Sequence, residues 1–294
     1  MYKRLAIDFD GTIVKENYPD VGRLKRGAKF AINRLYKNHK ILINTCRTDE
    51  HEQTAKDFLD DEGIKYDQIN ENDPTLVHFF RREPRKLSAD YYIDDKNFMG
   101  IHNLLIVWLW FEIKRLLSLK WLKKTPIIFA LVGESGTGKT TLSDHLYKVM
   151  GINPVLSYTE RLKRYPHEGG HLFLTPERFN RLDYTQLLAT TIFNDFRYCT
   201  LYSDLKSVNT YVIDENGLED LERFDGIYYD LVSIRLWRTQ HAREQSGVDY
   251  DRMKRDEGRF NRNLTTFDYV IIDESLDNMN ERGEQIVKDE LHAK

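Results

Sequence analysis

The stretch that most constrains the fold of this chain is the run from Gly133 to Thr140, Gly-Glu-Ser-Gly-Thr-Gly-Lys-Thr. An apolar run, Ile127 to Val132, precedes it and is typical of a buried strand. The segment that follows, up to Met150, has apolar residues at helical spacing. A strand, a glycine-rich loop, Lys-Thr and a helix in this order predict a phosphate-binding P-loop.

The residue types in this loop suit the binding of a nucleoside triphosphate. Glycines let the backbone bend so that its N–H groups point at phosphate oxygens, and the helix N-terminus adds partial positive charge. We expect Lys139 to act in catalysis at the β- and γ-phosphates and the Thr140 hydroxyl to hold Mg²⁺. The residues predicted to bind ATP are Gly133, Ser135, Gly136, Thr137, Gly138, Lys139, Thr140 and Thr141.

Length and composition indicate a globular protein of two domains. The chain has 294 residues, of which 40% are hydrophobic and 31% charged. A net charge of −3 provides no overall field for nucleic acid or anionic lipid. The two cysteines match no metal-ligand spacing and suit a reducing compartment. With no signal-peptide pattern and no membrane-spanning apolar run, the expected location is the cytoplasm.

The first hundred residues place polar groups after successive apolar strands. The carboxyl ends of parallel strands meet at one edge of a sheet, so we expect these groups to lie close together. Two carboxylates forced together need a cation or a proton to relieve them. The residues concerned are Asp8 and Asp10 after the first strand, Thr45 at the end of the second, Lys86, and Asp94 and Asp95 after the third.

This order of motifs resembles the haloacid dehalogenase superfamily of phosphatases over about residues 1–103. The resemblance implies that Asp8 attacks phosphorus and forms an aspartyl-phosphate. It implies that Asp10 protonates the leaving oxygen and then activates water. Thr45 and Lys86 would hold the transferring phosphoryl oxygens.

The same resemblance implies a Mg²⁺ site formed by Asp8, the Asp10 carbonyl, and Asp94 or Asp95. The gaps between the motifs are too short for a cap domain. Unless the second domain covers it, we therefore expect an open site that accepts a large substrate, including a nucleic-acid end. Arg47, two residues past Thr45, either contacts the substrate phosphate or faces solvent.

Residues 104–125 predict an amphipathic connecting helix. Three interpretations are open: a helix packed between the domains, a dimer contact, or a helix at a membrane interface.

The remainder of the chain alternates strands and helices and predicts a parallel α/β sheet. It contains Ser-x-x-x-Arg-x-x-Arg at residues 157–164, and it resembles guanylate kinase over about residues 126–290. The resemblance implies two lid arginines, Arg243 and Arg252. It also implies an acceptor-phosphate site formed by Ser157, Arg161, Arg164, His171, Tyr198 and Thr200.

Two departures from the family bear on specificity. His171 stands where the family has a phosphate-binding tyrosine, and Ala189 falls near the position of the glutamate that reads guanine. A pocket without that carboxylate loses its discrimination for guanine.

The sequence therefore predicts a capless haloacid dehalogenase-like domain (1–103), the connecting helix (104–125) and a P-loop kinase domain (126–294). The predicted activities are a Mg²⁺-dependent phosphatase and an ATP-dependent kinase of nucleoside or deoxynucleoside monophosphates. One alternative is a polynucleotide 5′-kinase and 3′-phosphatase, favoured by the domain order and the capless site; the low net charge and the acceptor motif oppose it. Another is a non-catalytic interaction module, which the intact Lys139 and Thr140 oppose. The sequence does not predict an oligomeric state.

Overall fold

The computed structural model describes residues 3–97, 100, 103–119, 125–163, 166–193, 195–248, 250–256, 258 and 260–293, with only the backbone described at 118, 119, 193, 251, 252 and 255. The chain divides into two compact units, Met1–Lys123 and Lys124–Lys294.

The first unit is a parallel four-stranded sheet with helices around it. Its elements are β1 (Lys3–Asp8), α1 (Ala28–Tyr36), β2 (His39–Asn44), α2 (Asp49–Asp61), β3 (Gln68–Ile69), α3 (Pro74–Phe80), β4 (Tyr91–Ile93) and α4 (Leu104–Leu119). The strand order is β3-β2-β1-β4. Asp8 pairs in register with Asn44, and Ile7 with Ile93, so the strands β1, β2 and β4 all end at the same edge.

Helix α4 belongs to the first unit. It packs against α1, and its residues Leu104 and Phe111 are buried in the core of that unit. Other apolar side chains of α4, among them Ile106 and Leu117, are exposed. The part of the chain that the structure describes contains no helix long and apolar enough to cross a membrane.

The second unit begins with β5 (Ile127–Val132), which is buried at every position because it lies in the middle of a five-stranded parallel sheet. This central sheet has the order β13-β12-β5-β11-β6. The further elements are α5 (Lys139–Met150), β6 (Asn153–Pro154), β7 (Ser157–Thr159), β8 (His171–Phe173), α6 (Pro176–Phe179), β9 (Leu187–Phe193), β10 (Phe196–Leu201), β11 (Val208–Ile213), α7 (Glu215–Glu222), β12 (Asp230–Trp237), α8 (Gln240–Gln245), α9 (Tyr250–Asp256), β13 (Tyr269–Ile272) and α10 (Leu276–Ala293).

A second sheet of four strands, the small sheet, has the order β8-β7-β10-β9. Strand β10 pairs antiparallel with both β7 and β9, whereas β7 and β8 are parallel. The sequence predicted a parallel α/β sheet for this unit, which the central sheet is, but it did not predict the antiparallel pairs of the small sheet. The hairpin of β9 and β10 has a very short connection, with Asp195 at a φ of 61°, and no Asn-Gly or Asp-Gly pair marks it. The predicted α/β class is confirmed.

Candidate functional sites

The loop that follows β1 contacts Asp95, just past the end of β4. Gly11 has a φ of 84°, and a Cβ atom at this position would lie 2.3 Å from Asp95 Oδ2. Only glycine allows this conformation together with so close an approach. The buried Thr12 hydroxyl accepts a hydrogen bond of 2.9 Å from the Asp95 N–H and is also hydrogen-bonded to Asp8. The loop therefore fixes the two acids beside each other.

Asp8, Asp94 and Asp95 form an acidic cluster in which one carboxylate oxygen from each lies within 4.8 Å of the others. Among the described residues, Asp8 Oδ2 and Asp95 Oδ1 are buried and have no hydrogen-bond partner. Burial, with repulsion from Asp94, Asp95 and Asp10, raises the pKa of Asp8 to about 7. Buried carboxylate oxygens without donors fit a hard divalent cation such as Mg²⁺.

Asp10 is held by a buried arginine. Arg47 Nε donates to Asp10 Oδ2 at 2.7 Å, and Nη2 donates to Oδ1 at 2.8 Å. The side chain of Arg47 is 1% exposed, and it also donates to the carbonyl oxygens of Pro19 and Asp20. The sequence left open whether Arg47 contacts a substrate phosphate or faces solvent. In the structure Arg47 is instead the partner of Asp10. The position of Arg47 just past Thr45 was the only signal for this pair in the sequence.

Thr45 lies at the predicted edge, where its N–H donates to Asn70 Oδ1 and its Oγ1 accepts from the Arg47 N–H. Lys86 differs from the prediction: its side chain is exposed, and its Nζ lies 4.6 Å from the centroid of the Tyr92 ring. In the described part of the chain, no hydrogen bond or ion pair joins Lys86 to the acidic cluster. The ammonium group of Lys25 contacts the loop after β1, where it donates to the Gly11 carbonyl. Lys86 was assigned because it lies eight residues before Asp94, and that spacing does not show where its side chain points.

The P-loop connects β5 to α5 as predicted. Gly136 and Gly138 have φ values of 81° and 91°, and a Cβ atom at Gly136 would lie 2.4 Å from Val248 Cγ2. Lys139 Nζ donates to the Gly133 and Glu134 carbonyl oxygens at 2.5 and 2.7 Å. Burial lowers the pKa of Lys139 to about 8.

The other predicted ATP-binding residues lie along the same loop and the first turn of α5. The Thr137 hydroxyl is buried and donates to the Glu134 carbonyl. Thr140 and Thr141 are exposed at the start of α5, where the helix N-terminus favours anions.

Two arginines from the segment after β12 bind the P-loop backbone. Arg243 Nε donates to the Ser135 carbonyl at 2.8 Å, and Arg238 Nη1 donates to the Gly136 carbonyl at 3.1 Å. Asp256, at the end of α9, accepts from the Ser135 N–H at 2.6 Å and lies 3.6 Å from Arg243 Nη2. Arg243, which was predicted to belong to a lid, lies beside the P-loop. The side chain of Arg252 lies outside the described residues. No pattern in the sequence singled out Asp256.

A cavity of about 300 Å³ lies between the P-loop and α9. Its lining includes Glu134 and Arg243 on one side and Tyr250, Asp256 and Phe260 on the other. It provides polar and aromatic groups next to the loop that is predicted to hold phosphate.

The small sheet brings the predicted acceptor residues together. Ser157 pairs in register with His171, and Thr159 with Tyr198, so Ser157, His171, Tyr198 and Thr200 share one face of the sheet. The His171 and Tyr198 rings lie 5.3 Å apart. Arg164 lies outside the described residues.

A tyrosine of the central sheet connects two of these hydroxyl groups. The Tyr211 hydroxyl lies 2.9 Å from Thr200 Oγ1 and is also hydrogen-bonded to Ser157. Tyr211 is buried, and the sequence did not single it out.

The sequence predicted that Arg161 binds the acceptor phosphate, but in the structure its guanidinium group is already paired. Its Nη1 and Nη2 donate to the two carboxylate oxygens of Glu168 at 3.1 and 2.7 Å, and its Nε donates to the Tyr198 hydroxyl at 3.1 Å. Arg161 and Glu168 are both buried. An acid seven residues after Arg161 was the only signal in the sequence for this pair.

No protein-family model and no curated protein matches the sequence. Solved structures are similar to parts of the chain, including the following two. A conserved protein from Bacteroides thetaiotaomicron is 27% identical, with a TM-score of 0.36, over 42% of this chain and 100% of its own. A guanylate kinase from Anaplasma phagocytophilum is 22% identical, with a TM-score of 0.42, over 57% of this chain and 88% of its own.

Proposed function

We propose that the chain is a phosphotransfer enzyme with two separate sites. The first unit is a Mg²⁺-dependent phosphatase of phosphate monoesters, and the second is an ATP-dependent kinase whose acceptor is a nucleoside or deoxynucleoside monophosphate. The observation that carries the first site is the acidic cluster with its two buried carboxylate oxygens that lack hydrogen-bond partners. The observation that carries the second is the P-loop between a buried strand and a helix.

In the first unit, Asp8 is the proposed nucleophile. Its carboxylate oxygen would bond to phosphorus as the bond from phosphorus to the ester oxygen breaks, and Asp10 would give a proton to the leaving oxygen. Arg47 holds both oxygens of Asp10 and so fixes where that proton is delivered. A bound Mg²⁺, held by Asp8 with Asp94 or Asp95, would offset the repulsion among these carboxylates and the charge of the phosphate.

Water would then complete the reaction. Asp10, now a carboxylate, would take a proton from water as the water oxygen bonds to phosphorus and the bond from phosphorus to Asp8 breaks. The products are inorganic phosphate and the original Asp8 carboxylate. The Thr45 hydroxyl lies at the same edge of the sheet, where it would donate to a phosphoryl oxygen.

In the second unit, Lys139 would exchange its two carbonyl partners, Gly133 and Glu134, for phosphate oxygens of the donor. Arg238 and Arg243 are anchored to the P-loop backbone and place their charge beside the transferring group. The acceptor oxygen would bond to the γ-phosphorus as the bond to the β-phosphate bridging oxygen breaks. The shared face of Ser157, His171 and Tyr198 would hold the acceptor.

One observation favours a second candidate acceptor. Because Arg161 is already paired with Glu168, the acceptor site has less net positive charge than its motif suggests. If Glu168 stays on Arg161 when the acceptor binds, a 5′-hydroxyl of a nucleic acid, which needs no arginine for a terminal phosphate, is the alternative acceptor, and the activity is that of a polynucleotide kinase.

Two assays on the full-length protein test the proposal. The first measures release of phosphate from a generic monoester with Mg²⁺ and with EDTA; we expect turnover only with Mg²⁺. The second measures transfer of label from γ-labelled ATP to AMP; we expect labelled ADP. No hydrolysis in any divalent metal, or no transfer to any monophosphate, would contradict the corresponding half.

A further inference from the structure

We infer that Glu168 occupies the place of the acceptor phosphate on Arg161, and that it makes the site specific for acceptors that carry a phosphate dianion. This inference rests on the proposed monophosphate acceptor. It assigns a specificity-determining role to a residue that binds no part of the substrate directly.

Arg161 uses most of its hydrogen-bond donors within the protein. Four of the five guanidinium N–H groups donate to described residues, one each to Tyr198 and the Leu162 carbonyl and two to Glu168. The Glu168 carboxylate takes the two Nη groups in the forked geometry that a phosphate would use. A phosphate can therefore gain the fork only by exchange with Glu168.

The charge of Glu168 opposes the binding of another anion beside it. The Arg161–Glu168 pair is almost buried, with side chains 10% and 7% exposed. A dianion placed beside the intact pair would be repelled by the carboxylate in surroundings that screen charge weakly. If the carboxylate leaves, the same dianion meets an uncompensated guanidinium. A neutral hydroxyl cannot drive this exchange, because it offers no charge to replace that of Glu168.

The backbone next to Glu168 allows its carboxylate to move away from Arg161. Two glycines follow it, and a Cβ atom at either Gly169 or Gly170 would meet nothing within 4 Å. Packing therefore does not require glycine at these positions, although Gly170 has a φ of 81°. The pair gives the backbone next to Glu168 the freedom to swing the carboxylate toward solvent.

The small sheet also provides a matched control. Arg197 and Glu160 form a second forked pair, at 2.9 and 2.6 Å, with side chains 6% and 7% exposed. Arg197 precedes Tyr198 in β10, so its side chain lies on the opposite face from the acceptor residues. Both arginines lie over a phenylalanine ring, Phe173 for Arg161 and Phe179 for Arg197.

The experiment compares Glu168→Gln with Glu160→Gln in the full-length protein, by calorimetric binding of AMP and by the Tm with and without AMP. Both variants leave a buried arginine without its anion, so both should lower the Tm in the absence of ligand. We expect AMP to bind Glu168→Gln at least about tenfold more tightly than wild type, and to raise its Tm by more than that of wild type. Glu160→Gln should bind AMP as wild type does. Adenosine should distinguish none of the three proteins.

Equal AMP affinity in Glu168→Gln and wild type, or an equal gain in Glu160→Gln, would overturn the inference. If Glu168→Gln does not fold, Glu168→Asp keeps the charge but withdraws it from the fork; we expect a smaller gain in AMP affinity, and no gain would overturn the inference. These are binding measurements, so they separate the two failures. Wild type that labels AMP while Glu168→Gln gains no affinity refutes only the exchange, whereas wild type that never labels a monophosphate refutes the proposed kinase.

Discussion

Replacement of the proposed nucleophile, Asp8→Asn, should abolish ester hydrolysis and at the same time stabilise the metal-free first unit. Asp8 lies beside Asp94 and Asp95, and its Oδ2 atom is buried with no hydrogen-bond donor among the described residues. Its pKa is raised from the ordinary 3.8 to about 7. A carboxylate with this environment is held ionised above pH 7 only at the expense of fold stability.

The magnitude follows from that pKa. A rise from 3.8 to about 7 corresponds to about 4 kcal/mol against the ionised form well above pH 7. Asp8 is partly exposed, so solvent screening reduces this, and we expect Asp8→Asn to gain about 2 kcal/mol. The direction of the pKa shift also determines how the stability of the folded protein depends on pH. The folded state binds the proton more tightly, so the metal-free wild type should lose stability as the pH rises from 3.8 to about 7, whereas Asp8→Asn should lack this loss.

The assay is urea unfolding of the full-length protein in EDTA at pH 8. Unfolding is monitored by hydrogen exchange of the β1 and β2 amides, so that the first unit is observed by itself. Mg²⁺ should stabilise wild type and have little effect on Asp8→Asn. Asp73→Asn is the matched control of opposite sign. Burial raises the pKa of Asp73, but Arg4 and Lys40 outweigh burial and lower it, so this variant should be less stable. An Asp8→Asn variant that is destabilised in EDTA, or that retains hydrolysis, would refute the reasoning.

Two further predictions concern the independence of the sites and the role of Arg47. Lys139→Ala should remove phosphate transfer from ATP and leave ester hydrolysis within a few-fold, as measured by both assays on one preparation; loss of both activities would mean that the sites are coupled. Arg47→Lys keeps the charge but not the fork on Asp10, so it should lower kcat for hydrolysis at least about tenfold with little change in KM. A raised KM with unchanged kcat would instead place Arg47 on the substrate.

The sequence was informative where a local pattern determines the structure. The P-loop is such a case, because its glycines are required by positive φ values and by close approaches that the structure contains. Asp8, Asp94 and Asp95 were predicted to meet because parallel strands end at one edge, and the register of β1 with β4 brings them there.

Contacts between side chains that are distant in sequence could not be predicted in the same way. Arg47 and Asp10 are 37 residues apart, and either could have paired with a ligand. Lys86 was assigned by its place in a motif order, but the loop before β4 places it on Tyr92 instead. Asp256 is 121 residues from Ser135, and no pattern in the sequence links the two.

The small sheet shows a further limit of periodicity. Its strands β7 and β8 have three residues each, too few to establish an alternation. The motif at residues 157–164 did not reveal the acid that pairs with Arg161. Pairing partners depend on which strands become neighbours, and that is decided by the whole unit.

The most direct test of the two-site account is an acceptor screen with γ-labelled ATP, in which AMP, GMP and a 5′-hydroxyl oligonucleotide are compared in initial rate, with Lys139→Ala as the blank. The account predicts label on both monophosphates and none on the oligonucleotide. Because Ala189 provides no carboxylate for the guanine edge, it also predicts a preference for GMP over AMP well below about a thousand-fold. Efficient labelling of the oligonucleotide, with the monophosphates left unlabelled, would contradict it.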